Sequence, residues 1–326
     1  MNRRKLLVAV GLGALAEALP ALAQQQGKVR RIGLLVPGSA AVYAGWVESL
    51  RAGLRERGYV EGKNIAIESR WAEGNYELLN GLAAELVRLK VDVIVTGGTP
   101  GALAAKRATT TIPIVMAAIS DPVVTGVVAG LARPGGNVTG SMFFVQELCI
   151  KRLEILRETL PRARRIGALV NPDNASVAPI LKEMELTARA LKLELQQFGV
   201  RGPHEFESAV SAVVAKRVDA VVIVEDSMII SNVEAITSLV SAKRLVAIGW
   251  DQVAEAGGLM AYGVNLPELW RRAAYFVDRI LKGAKPADLP IERSTRFELI
   301  LNLKTAKALG IKFPQAMLVR ADRVIE

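Results

Sequence analysis

The feature that most constrains the fold is a phrase of sequence that occurs twice. "RIGLLVPGSA" begins at Arg31, and the similar "RIGALVNPDNA" begins at Arg165. Later segments also recur, since "LKVDVIVTGG" matches "KRVDAVVIVED" and "LARPGGNVTG" matches "AEAGGLMAYG". The offset between matched residues drifts from 134 at Arg31 and Arg165 to 122 at Gly135 and Gly257. A slowly drifting offset indicates two homologous units with small insertions, and not a solenoid of short repeats.

Within each unit, β-rich runs alternate with helical patterns. "VRRIGLLV" precedes an amphipathic segment over Val42–Arg57, and "VDVIVTGG" precedes a helix predicted over Gly101–Ala108. The second unit repeats the order, with a strand at 164–170 before a helix over Val177–Leu191. Such alternation predicts an α/β fold class, with two homologous Rossmann-like lobes whose parallel sheets face each other across a cleft. A single long doubly wound sheet is the alternative.

The N-terminus has the pattern of an export signal. "MNRRKLL" is basic, "LLVAVGLGALA" is a short apolar run, and Ala21–Ala23 satisfies the small-x-small cleavage rule. We therefore predict a signal peptide over residues 1–23 and a periplasmic location. No cysteine follows the cleavage site, so we expect no lipid anchor. Both the general secretory route and the twin-arginine route, to which Arg3 and Arg4 point, stay open.

Cysteine and histidine are nearly absent from the sequence. The 326 residues contain one cysteine, Cys149, and one histidine, His204, which excludes an internal disulfide framework and a multi-histidine metal site. No P-loop, G-x-S-x-G or H-E-x-x-H motif occurs, and the one G-x-G-x-x-A match lies inside the signal peptide. We predict no cofactor, no metal and no catalytic residues. The disfavoured alternative is an enzyme that works through carboxylates such as Asp121, Asp226 or Asp251.

The chain is basic, with a formal net charge of +10 that falls to +8 without residues 1–23, which carry a net +2. Its basic residues lie in mixed patterns such as "LRERGYVEGK", which are typical of solvated helix faces. No arginine-rich helix or aromatic–basic ribbon is present. We therefore predict no nucleic-acid partner, and an export signal stands where a DNA-binding regulator would carry a helix-turn-helix.

Polar residues follow several predicted strands at the point where each strand ends. In open parallel sheets ligands bind outside the carboxyl ends of the strands, so two facing lobes would line one cleft with these turns. Hydroxyls and helix-start amides suit a carboxylate, acidic residues suit an ammonium, and an aromatic ring can cover a cation. The same residue types also cap helices. The predicted ligand-binding residues are Ser39, Tyr43, Gly98, Thr99, Ser120 and Asp121 in the first unit, and Asp173, Asn174, Asp226, Trp250 and Asp251 in the second.

Several longer segments carry a family resemblance. "LVRLKVDVIVTGGTPGALAAK", "IPIVMAAISDPVVTGVVAGLARPGGNVTG" and "ILKGAKPADLPIERSTRFELILNLKTAKALG" resemble ABC-transporter substrate-binding proteins of the tryptophan/tyrosine-uptake type. The resemblance covers essentially the whole chain after the signal peptide. It implies a type I periplasmic binding protein, in which three hinge strands join two lobes that close on a ligand. "EDSMII" departs from the family, because many members carry an aspartate–proline pair there, and "NPDNAS" lacks a common second proline.

The resemblance also implies a division of the chain. The first lobe would comprise residues 28–143 and 266–292, and the second residues 144–262 and 297–326. Hinge crossings would lie near Phe143–Gln146, Tyr262–Asn265 and Glu292–Arg296, and the helix of Leu269–Lys282 would return to the first lobe. The turns at Thr99 and at Ser120–Asp121 match first-lobe binding turns of the family.

The expected function is that of a secreted receptor that captures a small molecule between two lobes. An amino acid or a small carboxylate is the expected ligand, and the permease of an ABC importer in the inner membrane is the expected partner. We expect a monomer. The alternative is a periplasmic sensor subunit that presents its ligand to a membrane signalling protein.

Overall fold

The computed structural model describes residues 29–326, so the predicted signal peptide lies outside the described residues. The chain forms two sheets, and the first has six strands, all parallel, in the order β11-β5-β4-β3-β1-β2. These strands are β1 (Arg30–Val36), β2 (Ile65–Trp71), β3 (Val93–Gly97), β4 (Ile114–Ile119), β5 (Val138–Met142) and β11 (Glu292–Arg293).

The second sheet has seven strands in the order β13-β12-β10-β9-β8-β6-β7. Its strands are β6 (Arg165–Val170), β7 (Glu194–Gly199), β8 (Ala220–Ile223), β9 (Val246–Gly249), β10 (Met260–Gly263), β12 (Glu298–Asn302) and β13 (Arg323–Ile325). Only the pair β10 and β12 is antiparallel within this sheet. The predicted α/β class with two mostly parallel sheets is confirmed, and the single long sheet is wrong.

Helices connect the strands of both sheets. They are α1 (Ala40–Arg55), α2 (Leu79–Arg88), α3 (Gly98–Ala108), α4 (Val145–Thr159), α5 (Val177–Ala190), α6 (Phe206–Ala215), α7 (Ser227–Ile230), α8 (Val233–Ala242), α9 (Asp251–Glu255), α10 (Leu266–Leu281), α11 (Leu303–Leu309) and α12 (Gln315–Arg320). Helices α1, α3 and α10 begin two or three residues earlier than predicted. Ser39 caps the start of α1 and Asn265 that of α10, while β3 runs directly into α3.

The duplication read from the sequence is visible in the strand order. Strands β5-β4-β3-β1-β2 and β10-β9-β8-β6-β7 follow the same path, five strands apart. Matched aspartates hold matched positions, since Asp92 Oδ2 accepts a hydrogen bond from the backbone N–H of Arg31 and Asp219 Oδ2 accepts one from Arg165, both at 2.8 Å. Each carboxylate ties the start of one strand to the turn before a neighbouring strand.

Three short segments join the two sheets, at residues 143–144, 264–265 and 294–297. They lie at the predicted crossings. Ion pairs join the elements that flank these segments. Arg293 of β11 pairs with Glu147 at the start of α4, and Arg272 of α10 donates two hydrogen bonds to Glu292 of β11 at 2.6 and 2.7 Å. The division into two lobes and the use of these segments as hinges stay predictions.

Helix α10 comes late in the sequence, after most strands of the second sheet, yet it packs along α1 beside the first sheet. Trp46, Leu50 and Leu54 of α1 are buried on this side. The helices meet at Gly53, where a Cβ atom would lie 2.6 Å from the backbone oxygen of Arg271 and 2.9 Å from the Cβ of Ala274. Only glycine permits this approach, so one residue sets the distance between the two helices.

We expect Gly53→Ala to lower the free energy of unfolding by about 1–3 kcal/mol, because the added methyl overpacks a contact with backbone. The matched control is Gly45→Ala on the same helix, where a Cβ meets nothing within 4 Å. It should stabilise by roughly 0.5–1 kcal/mol through helix propensity. Chemical denaturation of both variants measures the difference, and equal effects at the two glycines would contradict the packing argument.

Candidate ligand-binding site

A cavity of ≈40 Å³ lies between the carboxyl ends of the strands of the two sheets. Its first-sheet wall comes from the turns after β3 and β4 and from α1, and its second-sheet wall comes from the turns after β6 and β8. The beginning of α10 completes it. Six of the predicted site residues line this cavity: Tyr43, Gly98, Thr99, Ser120, Asn174 and Asp226.

The first-sheet wall carries a hydroxyl that is buried and unpaired. Thr99 is 2 % exposed, and its Oγ1 atom has no hydrogen-bond partner in the described part of the chain. Thr99 lies in the first turn of α3, and no side chain caps this helix because its N-cap residue is Gly97. The first amides of a helix lack intrahelical partners and carry partial positive charge. The wall therefore offers hydrogen-bond donors to an anion.

Gly98 brings this helix start close to the opposite wall. Its φ of +70° lies in the left-handed region, and a Cβ there would lie 2.6 Å from Ser227 Oγ of the second-sheet side. A side chain at this position would therefore hold the two walls apart.

Three aromatic rings form an apolar part of the wall. Tyr43 and Trp46 of α1 have ring centroids 4.6 Å apart, and Trp270 of α10 lies 5.9 Å from Tyr43. Their arrangement is edge-to-face, which is a favoured geometry for aromatic pairs. Burial raises the pKa of Tyr43, so its hydroxyl stays protonated at neutral pH. Trp46 and Trp270 were not among the predicted site residues.

Asp226 is the most densely bonded residue of the site. Its Oδ2 atom accepts hydrogen bonds from Tyr76 Oη at 2.6 Å and Asn174 Nδ2 at 2.8 Å. Its Oδ1 atom accepts from Asn171 Nδ2 at 3.1 Å and from the backbone amides of Met228 and Ile229 at 3.0 and 3.3 Å. The two amides belong to α7, which Asp226 caps.

Tyr76 reaches Asp226 from the first-sheet side of the molecule. The sequence did not reveal this contact, because 150 residues separate the two positions and Tyr76 begins a single 3-10 turn between β2 and α2. Burial raises the pKa of Asp226, while the hydrogen bonds from Tyr76 and the asparagines oppose that rise. Burial and the neighbouring carboxylate raise the pKa of Tyr76 well above its ordinary value, so the phenol stays a donor.

A second buried acid, Glu225, is already paired. Arg152 of α4 holds both of its carboxylate oxygens, with Nη1 2.7 Å from Oε2. The Arg152 side chain is fully buried, and its Nε donates to the backbone oxygen of Tyr262 at 2.9 Å. Glu225 lines the cavity, yet its charge is balanced within the protein. Neither Glu225 nor Arg152 is among the predicted ligand-binding residues.

The other five predicted site residues lie outside the cavity lining. Ser39 caps α1, and its backbone N–H donates to Ser231 Oγ at 2.9 Å. Asp121 accepts hydrogen bonds from the amides of its own turn, and Asp173 pairs with Arg201 at 3.4 Å on the surface.

Trp250 and Asp251 follow β9 but turn away from the cavity. The Trp250 ring is buried in the core of the second sheet, where its indole N–H donates to Gln252 at 3.0 Å. Asp251 is the first residue of α9, and its carboxyl faces Glu255, Arg323 and Glu298. Burial raises the pKa of Asp251 to about 6.

Residues 29–326 contain no helix that is long and apolar enough to cross a membrane. The same residues bring together no group of three histidine, cysteine, aspartate or glutamate side chains suited to a metal ion.

The sequence profile of the ABC transporter substrate-binding protein family matches residues 32–325. The chain belongs to this family. A tyrosine-binding protein of Clostridioides difficile strain R20291 is 28% identical over 260 residues, which are 79% of this chain and 74% of that protein. The fold is that of type I periplasmic binding proteins, as the resemblance implied.

Two solved structures of similar identity differ in how well they superpose. An ABC domain from Streptococcus pneumonia in complex with L-Trp is 29% identical with a TM-score of 0.82, and covers 90% of this chain and 100% of its own. A ligand-free, open substrate-binding protein with adhesive properties from Clostridium difficile is 26% identical with a TM-score of 0.65, and covers 91% of this chain and 99% of its own. The arrangement of this family member therefore resembles the ligand-bound neighbour more than the open one.

We expect Glu225→Gln to lower the free energy of unfolding by about 3–5 kcal/mol, because it leaves the charge of Arg152 buried without a partner. The double variant Arg152→Met with Glu225→Gln should recover most of that loss. Glu154→Gln is the control on α4, since its ion pair with Lys151 is exposed and contributes less than about 1 kcal/mol. Similar losses in Glu225→Gln and Glu154→Gln, measured by denaturant titration, would contradict the buried pairing.

Asp251 should affect stability and not ligand binding. Between the ordinary carboxyl pKa of 3.8 and about 6, the folded protein holds a proton that the unfolded chain releases, so this residue's contribution to stability falls as pH rises through that range. Asp251→Asn should therefore raise the melting temperature above pH 6 and change it little near pH 4. Asp173→Asn, at an exposed carboxylate, is the control. A loss of ligand affinity in Asp251→Asn would contradict this prediction and assign Asp251 to the binding site.

Proposed function

We propose that this protein is a periplasmic, monomeric receptor that captures a small carboxylate or amino acid and delivers it to the permease of an ABC importer. The observation that carries the proposal is the unpaired hydroxyl of Thr99, buried at the start of α3 inside a cavity between the two sheets. A buried hydroxyl without a partner costs free energy, and a ligand that accepts its hydrogen bond recovers that cost.

The chemistry of the two walls supports a ligand with a carboxylate head and an apolar body. The carboxylate would lie at the start of α3, where it accepts hydrogen bonds from Thr99 and from the helix amides. Ser120, 5 % exposed and on the same wall, supplies a second hydroxyl. The apolar body would pack against Tyr43, Trp46 and Trp270.

Capture would work through the equilibrium between an open and a closed arrangement. We propose that residues 28–143 with 266–292 and residues 144–262 with 297–326 move as two lobes about the three crossings. Contacts that join the walls, such as Tyr76 to Asp226 and Ser39 to Ser231, exist only when the lobes are together. A ligand that touches both lobes favours that state, which a permease can distinguish from the open one. No chemical step is needed.

The relatives support this class of ligand, since one is a tyrosine-binding protein and another is solved with L-Trp. The export pattern at residues 1–23 supports the periplasmic location.

Thr99→Val tests the proposal with two readouts that should move in opposite directions. Valine keeps the shape of threonine and removes the unpaired hydroxyl, so the free protein should be as stable as wild type or slightly more stable. Ligand affinity should fall about ten- to a hundredfold, because a hydrogen bond to a carboxylate contributes roughly 1.5–3 kcal/mol. Ligands are first found by thermal shift with amino acids and small carboxylates, where a hundredfold excess over Kd adds roughly 2.7 kcal/mol.

The matched control is Thr237→Val. Thr237 is also a fully buried threonine on a helix with an unpaired hydroxyl, but it lies on α8 away from the cavity. This variant should bind the ligand with unchanged affinity by calorimetry. Unchanged affinity in Thr99→Val as well would contradict the placement of the ligand's carboxylate at the start of α3.

A further inference from the structure

We infer that the ligand is a monocarboxylate with an apolar body and no ammonium group, an inference that rests on the proposed function. The cavity presents donors to an anion, but every carboxylate that lines it is already satisfied by the protein. An amino acid needs both an anion site and a cation site, and the geometry supplies only the first.

Asp226 has no capacity left for an ammonium. Each oxygen of an ionised carboxylate offers about two lone-pair positions, and on Asp226 five donors occupy them, with two on Oδ2 and three on Oδ1. One of the five, Tyr76 Oη, belongs to the other wall, so closing the lobes fills the last position. The carboxylate that the sequence assigned to an ammonium is thus used to hold the lobes together.

Glu225 is neutralised in a different way. Arg152 forms a bidentate ion pair with both carboxylate oxygens of Glu225. The Arg152 side chain is 0% exposed and that of Glu225 is 4% exposed. A ligand ammonium could approach Glu225 only by displacing a buried guanidinium, or by sharing a site with its positive charge. Either costs several kcal/mol in a water-excluded setting.

The amide oxygens near the cavity are also engaged. Asn174 Oδ1 accepts from the backbone amide and the hydroxyl of Ser176, at 3.1 and 2.8 Å. Gln146 Oε1 faces the hydroxyl of Ser120 at 3.4 Å. The groups left over are the Thr99 hydroxyl, which can donate or accept, and the uncapped amides at the start of α3, which can only donate.

Matched pairs that differ only in the ammonium group test the inference by calorimetry on the mature chain. The pairs are phenylalanine with hydrocinnamate, tryptophan with indolepropionate, and leucine with isocaproate. In the pair whose apolar body fits, the deaminated acid should bind at least tenfold more tightly than the amino acid. Equal or tighter binding of the amino acid would overturn the inference and leave the proposed receptor intact.

Binding of neither member of any pair, together with a thermal shift by an uncharged solute, would overturn the proposed carboxylate receptor and the inference with it. The two failures are therefore distinguishable.

Tyr76→Phe tests the cause of the preference. Removing the phenol frees one lone-pair position on Asp226, so the ratio of acid affinity to amino-acid affinity should fall severalfold. Weaker closure of the lobes would lower the affinities for both ligands alike, so a change in their ratio reports on Asp226. Tyr275→Phe, on the face of α10 that carries Arg272, is the matched control and should leave the ratio unchanged. An unchanged ratio in Tyr76→Phe would contradict the role given to Asp226.

Discussion

Asp226 accepts hydrogen bonds from both halves of the molecule, and the contact between the two halves depends on it. Four of its donors come from the second-sheet side, two from its own turn and two from the asparagines after β6, and the fifth comes from Tyr76 across the interface. Burying a carboxylate is unfavourable unless its oxygens are satisfied. The full set of donors exists only when the halves meet. The free-energy cost of burying this carboxylate is therefore fully offset only in that arrangement. The cavity, the cap of α7 and the position of Asn174 all follow from this one group.

The binding chemistry is divided unevenly between the walls. The first-sheet wall has free donors at Thr99, while the second-sheet wall has acids whose charge is already balanced. This asymmetry arises although the two units share one topology. Duplication supplied two equivalent sets of turns, and the residues on them then diverged. Membership of the substrate-binding family fixes the architecture of the cleft but not the polarity of each wall.

The sequence predicted the fold well because its signals are local and repeated. Strand–helix alternation and the repeated segments were enough to predict two homologous units with parallel sheets, and the two sheets share one strand order. The site was predicted less completely. Thr99 lies at a strand end where the rule for parallel sheets applies directly, whereas Tyr76 and Arg152 reach the site from elements distant in sequence. Trp250 also lies at a strand end, but its ring packs into the core, and sequence does not give the direction of a side chain at a turn.

The late return of α10 has a consequence for the order of folding. Residues 266–293 complete the first sheet's layer, yet the whole of β6 to β10 precedes them in the chain. As the polypeptide is synthesised, the first half must therefore wait with Trp46 and the groove at Gly53 uncovered while the second half forms. The N-terminal half cannot be cut away as a finished module. The first sheet's layer is therefore completed last. A chaperone that shields apolar surface would bind the uncovered face of α1.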